Sequence, residues 1–250
     1  MNLPISTGTV GLGEIIPIIN LVNRKTNRLL LNLKDIMGNA SSAHKTKPAR
    51  PASVASEALS STLALGAGCY WGTEKYVRKD FRKKFPNSIK TATVGFMSPL
   101  DGVRIQNPTY PQVCSGQSGH IEVLFVELNE PDKHFEELIR FFFQFHDPTT
   151  KDRQGNDRGF QYASWIFCDD EPQALIAERV RGELQTLLDA NALNVYDRKT
   201  VSTKISPMKE FTPAQAEHQE YLAKHPNGYC NHRIRFKHWP VISKKEGASN

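Results

Sequence analysis

The order of apolar and polar positions predicts strands interleaved with helices from residue 61 onwards. Apolar runs of strand length occupy residues 62–67, 89–96, 119–128, 160–168 and 199–205. Helical spacing of apolar residues, with caps and terminating prolines, occupies residues 73–85, 132–145, 171–188 and 212–224. Two stretches rich in Pro, Gly and polar residues, 98–114 and 147–159, predict long loops of the kind that often carry function. This order predicts an α+β fold, with a layer of helices on one mainly antiparallel sheet.

Cys69 lies where the first predicted strand passes into the first predicted helix, between Gly68 and Gly72. Glycines at such a junction let the backbone turn sharply and come close to a substrate. The free N–H groups and positive dipole of a helix N-terminus favour a thiolate, which is the nucleophilic form of cysteine. We therefore predict that Cys69 is a nucleophile, with a buried structural cysteine as the alternative.

Glu122 is a carboxylate inside a predicted central strand. Residues 121–126 place apolar side chains on both faces of this strand, which is typical of a buried strand. Burial disfavours the ionised form, so we predict that Glu122 stays protonated near neutral pH and can donate a proton. The alternative is a strand-end glutamate that reaches solvent or pairs with a lysine.

The two predicted loops supply Tyr110, Tyr162 and Asp157 as further candidates. A phenol is a neutral hydrogen-bond donor that suits a strongly polarised oxygen. Asp157 lies in a Gly- and Asn-rich stretch, where it is either a turn residue or a carboxylate that orients a tyrosine or a water molecule.

The four cysteines are Cys69, Cys114, Cys168 and Cys230, and no two are close in sequence. Without a CxxC pair, we predict no structural zinc site and no bound metal. Cys230 follows the last predicted helix in a loop with Gly and Asn, where a mobile thiol can reach a second sulfur or remain a spare surface thiol. We expect Cys168 in the core and a structural role for Cys114.

The positive charge is concentrated at the two ends of the chain. Residues 1–60 carry seven Lys or Arg against three Asp or Glu, and residues 231–250 carry five against one. The intervening residues 61–230 are slightly acidic, with 20 basic and 22 acidic side chains. A nucleic-acid binder would carry its basic residues on the folded body, so this class is disfavoured.

Three regions follow from composition. We predict an N-terminal extension over residues 1–60, a catalytic domain over 61–235 and a basic tail over 236–250. The extension contains a linker rich in Ser, Ala, Lys and Pro, and its basic bias weakly resembles a transit peptide. We expect a cytoplasmic protein, with the mitochondrion or plastid as the alternative, and no membrane span because no run of 18 apolar residues occurs.

An ordered set of motifs over about residues 61–235 resembles the A-type peptide-methionine sulfoxide reductases. The motifs are GCYWGTE (68–74), NPTY (107–110), VCSG (113–116), GHIE (119–122), HDP (146–148), QGNDRGFQY (154–162), HQEYL (218–222) and GYC (228–230). The resemblance implies a two-layer α/β sandwich with a ferredoxin-like core and a mixed, mainly antiparallel sheet. It also implies that the chain reduces the S-epimer of methionine sulfoxide, free or in proteins, without a cofactor.

The resemblance implies a role for each candidate. Cys69 would attack the sulfoxide sulfur and become a sulfenic acid, and Cys230 would resolve it as a disulfide that thioredoxin or another dithiol reduces. Glu122 would protonate the sulfoxide oxygen. The substrate would be bound by Tyr110 and Tyr162 at its oxygen, by Tyr70 and Trp71 around its S-methyl group, and by Asp157 through hydrogen bonds that support oxygen binding.

Two departures from the family pattern concern the site. Tyr70 stands where the family usually has Phe, and no second recycling cysteine follows Cys230. A two-cysteine cycle is therefore expected, in a monomer whose partners are thioredoxin and oxidised proteins. The alternatives are another thiol oxidoreductase, such as a peroxidase, and a non-catalytic module that binds oxidised or Met-rich proteins.

Overall fold

The structure, a computed structural model, describes residues 58–241. Nearly all of the predicted extension and residues 242–250 lie outside this range. The transit-peptide interpretation and the region boundaries at residues 60 and 235 therefore stay predictions. No helix within residues 58–241 has the length and apolar character that crossing a bilayer requires.

One six-stranded sheet organises the domain. Its strands are β1 (Thr62–Ala67), β2 (Ile89–Met97), β3 (Ile121–Leu128), β6 (Ser164–Cys168), β7 (Lys204–Pro207) and β8 (Phe211–Pro213). Their order across the sheet is β7-β6-β1-β3-β2-β8. Only the β6–β7 pair is parallel, and the four other neighbouring pairs are antiparallel. A separate hairpin is formed by two strands of two residues each, β4 (Arg153–Gln154) and β5 (Asp157–Arg158). The predicted α+β class and mainly antiparallel sheet are confirmed.

The helices lie against one face of this sheet. The first helix, α1, consists of an α-helical turn (Tyr70–Lys75), a π-helical segment (Tyr76–Phe81) and a last turn (Arg82–Lys84). The others are α2 (Tyr110–Cys114), α3 (Pro131–Phe145), α4 (Glu171–Asp189) and α5 (Tyr221–Lys224). Apolar residues of α1, α3 and α4 share one core with alternate residues of β1, β2 and β3, which gives the predicted two-layer arrangement.

A smaller apolar cluster covers the opposite face of the sheet. It contains Ala64, Val123 and Phe167, each from the strand positions that alternate with the main core. The central strand β3 is therefore apolar on both faces, as its sequence predicts. Glu122 lies on the face of β3 that also carries Leu124, which belongs to the main core.

The prediction of a last helix over residues 212–224 is wrong except for its end, where α5 lies. Residues 211–213 form the edge strand β8, in which Phe211 pairs with Met97 and Pro213 with Gly95. The Phe211 ring also stacks on Phe125 at a centroid distance of 5.0 Å. These contacts come from residues distant in sequence, so local capping signals did not indicate them.

Smaller differences concern element ends. The strand predicted at 160–168 begins only at Ser164, because Phe160–Tyr162 forms a 3₁₀ turn. The strand predicted at 199–205 is shifted to Lys204–Pro207, where it pairs with β6. The predicted loop at 98–114 ends in the short helix α2, whose capping box joins Thr109 and Gln112.

Candidate active site

The junction of β1 and α1 positions the predicted nucleophile at the centre of the domain. Gly68 has φ = 87°, a conformation that favours glycine, and a Cβ there would lie 2.4 Å from Cβ of Gln154. Cys69 occupies the N-cap position of α1 and is only 9% exposed. The glycine therefore allows both the turn and the close packing that bury Cys69.

Glu122 lies beneath this junction, on the central strand β3. Its side chain is 1% exposed, and Oε2 accepts a hydrogen bond from the backbone N–H of Tyr70 at 3.1 Å. Burial raises the pKa of Glu122 to about 8, against the opposing effect of that N–H bond. The predicted burial is confirmed, and the raised pKa favours the protonated carboxyl, whereas the proton-donor role stays a prediction.

Burial at Cys69 opposes the thiolate that the helix N-terminus was expected to favour. Burial, followed by the nearby Glu122 carboxylate, raises the pKa of Cys69 well above its ordinary value. A hydrogen bond from the Trp71 backbone amide lowers the pKa, as expected at a helix N-terminus, but this effect is smaller. Desolvation therefore outweighs the helix terminus and favours the neutral thiol of Cys69.

An aromatic cluster forms a wall beside Cys69. Tyr70 is 1% exposed, and its ring centroid lies 6.4 Å from that of Trp71. Tyr221 stacks on Trp71 at 3.8 Å, and His218 packs on Tyr70, Trp71 and Tyr110 at 5.8, 5.7 and 4.5 Å. The two predicted pocket residues, Tyr70 and Trp71, are thus held in place by His218 and Tyr221 of the HQEYL motif.

The two predicted oxygen-binding tyrosines lie close to Glu122. Burial is the main cause that raises the pKa of both Tyr110 and Tyr162, and the Glu122 carboxylate contributes to each. Cys114 affects both phenols as well, so it lies at the edge of this group, although we expected a structural role for it. Cys168, at the end of β6, is in the core as predicted.

Asp157 is engaged by the segment that carries Cys230. Its carboxylate accepts hydrogen bonds from the Tyr229 hydroxyl at 3.1 Å and from Nδ2 of Asn231 at 2.8 Å. Asn231 Nδ2 also donates to the carbonyl oxygen of Gln154 at 3.0 Å. Asp157 therefore holds residues 229–231 against the β4–β5 hairpin, and its predicted support of oxygen binding stays a prediction.

Cys230 is half-buried, and both it and Cys69 are free thiols. A charge on the Cys230 sulfur would raise the pKa of Cys69, so the two thiols share one site. Their pairing as a disulfide stays a prediction.

Two residues of the predicted motifs have structural partners that the sequence did not indicate. Glu74 is 2% exposed, accepts the backbone N–H of Glu220 at 2.8 Å and pairs with Arg78 at 3.3 Å. Gln219 hydrogen bonds the backbone N–H and carbonyl of Val94 at 2.9 and 2.8 Å. Both anchor the HQEYL segment, Glu74 to α1 and Gln219 to β2. In the sequence, only their position inside the motifs indicated that these two residues have a role.

No group of three or more His, Cys, Asp or Glu side chains within residues 58–241 is arranged to hold a metal ion. The site described above consists instead of two thiols, one buried carboxyl group and several aromatic side chains.

Comparisons with known proteins agree with this description. A family model described as "Peptide methionine sulfoxide reductase" matches residues 61–249. The chain is 39% identical over 168 residues to a peptide methionine sulfoxide reductase of Vibrio cholerae, covering 67% of this chain and 72% of that protein. It is 37% identical over 180 residues to a probable peptide methionine sulfoxide reductase of Schizosaccharomyces pombe, covering 71% and 96%.

Solved structures give the same result. The crystal structure of Mxr1 from Saccharomyces cerevisiae in reduced form has a TM-score of 0.60 and 32% identity, covering 70% of this chain and 92% of that one. Methionine sulfoxide reductase A of Corynebacterium diphtheriae has a TM-score of 0.55 and 34% identity, covering 68% and 77%.

Proposed function

The chain belongs to the peptide methionine sulfoxide reductase family, a family of oxidoreductases, and from this premise we propose that it reduces the S-epimer of methionine sulfoxide. The substrates are free methionine sulfoxide and oxidised methionine in proteins, so the reaction repairs oxidative damage. The observation that carries the proposal is the buried pair of Cys69 and a neutral Glu122 at the β1–α1 junction.

The first step needs an acid beside a nucleophile. A sulfoxide oxygen leaves poorly until it is protonated, and Glu122 holds a proton at neutral pH for this purpose. The Cys69 sulfur attacks the substrate sulfur, and the oxygen ends on Cys69 as a sulfenic acid while methionine leaves. The methionine sulfur gains two electrons and the Cys69 sulfur loses two. The thiol proton replaces the one that Glu122 donated.

The aromatic wall and the phenols would orient the substrate for this attack. Tyr70 and Trp71 enclose the S-methyl group in an apolar pocket. Tyr110 and Tyr162 donate hydrogen bonds to the oxygen, because their raised pKa values keep both phenols protonated. Such a site fixes the methyl group and the oxygen on opposite sides of the sulfur, which is the basis of the proposed selectivity for one epimer.

The second step regenerates the enzyme without a cofactor. The Cys230 thiol attacks the Cys69 sulfenic acid, a disulfide forms and water leaves. Thioredoxin or another dithiol then reduces the disulfide. The location of Cys230 in the same site as Cys69 supports this step. A monomer in the cytoplasm, or in the mitochondrion or plastid, is part of the same proposal.

The test is turnover of separated S- and R-epimers of a methionine sulfoxide peptide, with dithiothreitol as reductant. We expect the wild type to reduce only the S-epimer and Cys69→Ser to reduce neither. Cys168→Ser, which alters a core thiol outside the site, is the matched control and should retain activity.

Other outcomes would select an alternative. Turnover of a hydroperoxide without turnover of either sulfoxide would indicate a thiol peroxidase. Binding of an oxidised peptide by both wild type and Cys69→Ser, with no reduction, would indicate a binding module.

A further inference from the structure

His232 connects the segment of Cys230 to the strand that leads to Cys69. Its imidazole is 7% exposed, and Nε2 lies 2.6 Å from the carbonyl oxygen of Ala67. A carbonyl only accepts hydrogen bonds, so Nε2 carries the ring proton. Burial lowers the pKa of His232 to about 4, so the ring is neutral at physiological pH. Nδ1 is therefore an acceptor with a free lone pair.

The free nitrogen of His232 faces the thiol of Cys230. Nδ1 lies 3.9 Å from Cys230 Sγ, within the range of a sulfur hydrogen bond, and among residues 58–241 the other acceptor in reach of that thiol is the His232 carbonyl oxygen at 4.0 Å. Gly72 makes room for the ring, since a Cβ there would lie 2.0 Å from Nδ1. The absence of a side chain at Gly72 thus lets the imidazole reach the first turn of α1.

We propose that His232 is the general base of disulfide formation, a role that rests on the resolving function proposed for Cys230. Nδ1 takes the proton of the Cys230 thiol, and the sulfur attacks Sγ of the Cys69 sulfenic acid. The S–S bond forms as the S–O bond breaks. The imidazolium returns its proton to the leaving hydroxide, which departs as water. The Cys230 sulfur is oxidised and the Cys69 sulfur is reduced.

The surroundings of the ring favour a brief proton transfer over a resting ion pair. The ionisable groups that face His232 come from its own segment, from α1 and from the end of α3; they are Lys75, Tyr76, His146, Cys230 and Arg235. The positive charges of Lys75 and Arg235 disfavour an imidazolium. The ring is therefore a weak base, so the thiol proton moves to Nδ1 only as the S–S bond forms and passes on directly to the leaving hydroxide.

The test measures the rate of disulfide formation in single turnover. Enzyme is mixed with one equivalent of the S-epimer, quenched with a thiol-blocking reagent, and analysed for released methionine and for the Cys69–Cys230 disulfide. In His232→Gln, whose amide can still donate to Ala67, we expect methionine release at the wild-type rate and disulfide formation at least about tenfold slower. Turnover with thioredoxin should fall accordingly, whereas turnover with dithiothreitol should persist.

The pH profile separates a base from a structural support. In the wild type, the rate of disulfide formation should not change with pH near neutrality, because His232 stays neutral far above its pKa of about 4. In His232→Gln the rate should rise with pH, since hydroxide must then take the thiol proton. Asn231→Ala weakens the anchoring of the segment but leaves the imidazole, so any slowing there should keep the wild-type pH profile. His238→Gln changes an exposed histidine and should have no effect.

Two results would overturn the proposal. One is disulfide formation in His232→Gln at the wild-type rate. The other is a slowing with the same pH profile as Asn231→Ala. If His232→Gln fails to fold, His232→Asn is judged by the same rate and pH profile. Failure of the underlying function is distinguishable, because Cys230→Ser would then support thioredoxin-dependent turnover as well as the wild type does.

Discussion

The two cysteines of the site are held in contrasting ways. Cys69 is fixed by regular structure, between β1 and α1, with Glu122 of the central strand beneath it. Cys230 lies in a segment without helix or strand, which side-chain hydrogen bonds from Asn231 and His232 fasten to the domain. One thiol is enclosed by the core, and the other is attached at the surface.

This difference matches two demands of the proposed reaction. Reduction of a sulfoxide needs a dry pocket in which a carboxyl stays protonated, and only the core can supply such a pocket. Recycling needs a thiol that a protein reductant can reach, and Tyr229 beside Cys230 is 48% exposed. A segment held by a few polar contacts can leave its place at low cost.

The largest predicted effect follows from removing the acid, Glu122, that lies beside Cys69. Glu122→Gln keeps the shape of the side chain and eliminates the proton, so kcat should fall about 10²- to 10⁴-fold while peptide binding changes little. The wild-type rate should decline as the pH rises through about 8, where Glu122 ionises. Single-turnover release of methionine across this pH range measures both effects.

A stability measurement serves as the control for this variant. The pKa of Glu122 is raised from 4.5 to about 8 in the folded protein, so the folded state binds more protons between these values. Its contribution to stability is present below pH 4.5 and is lost as the pH rises through 8. Glu122→Gln should therefore unfold at higher denaturant than wild type at pH 9. Near-wild-type turnover by this stable variant would contradict the proton-donor role.

A smaller effect is predicted for the anchor of the recycling segment. Asp157→Ala removes the acceptor of Tyr229 and Asn231. Losing about 1.5 kcal/mol, the low end for one hydrogen bond to a charged group, reduces the docked population of residues 229–231 about tenfold. Thioredoxin-dependent turnover should fall by this factor, and dithiothreitol-dependent turnover should change less than threefold or so.

The matched variant Asp157→Asn keeps an oxygen acceptor and should lie between wild type and Asp157→Ala. If both reductants lost activity equally, Asp157 would act on oxygen binding, as the family resemblance implies, and the contrast between the two regions would be weaker.

The surroundings of Cys69 could be predicted from the sequence better than the segment that carries Cys230. The burial of Glu122 could be predicted because residues 121–126 place apolar side chains on both faces of the strand, and this signal is local in sequence. The raised pKa of Cys69 could not be predicted, because it comes first from burial in the folded domain and then from Glu122, which lies 52 residues away from the Tyr70 that it contacts. The bond from His232 to Ala67 spans 165 residues and leaves no periodic trace. Side-chain anchoring of irregular segments is set by tertiary contacts alone.

The smallest effect concerns the position where this chain departs from its family. The Tyr70 hydroxyl is buried and has no hydrogen-bond partner within residues 58–241. A buried unpaired hydroxyl costs about 1–3 kcal/mol, so Tyr70→Phe should raise the melting temperature by a few degrees. Thermal unfolding checks this, and kcat/KM should stay within about threefold because the aromatic pocket is kept. A tenfold loss of kcat/KM would instead show that the hydroxyl contacts the substrate. The surroundings of Cys69 would then contain a third phenol that acts on the sulfoxide, in addition to Tyr110 and Tyr162.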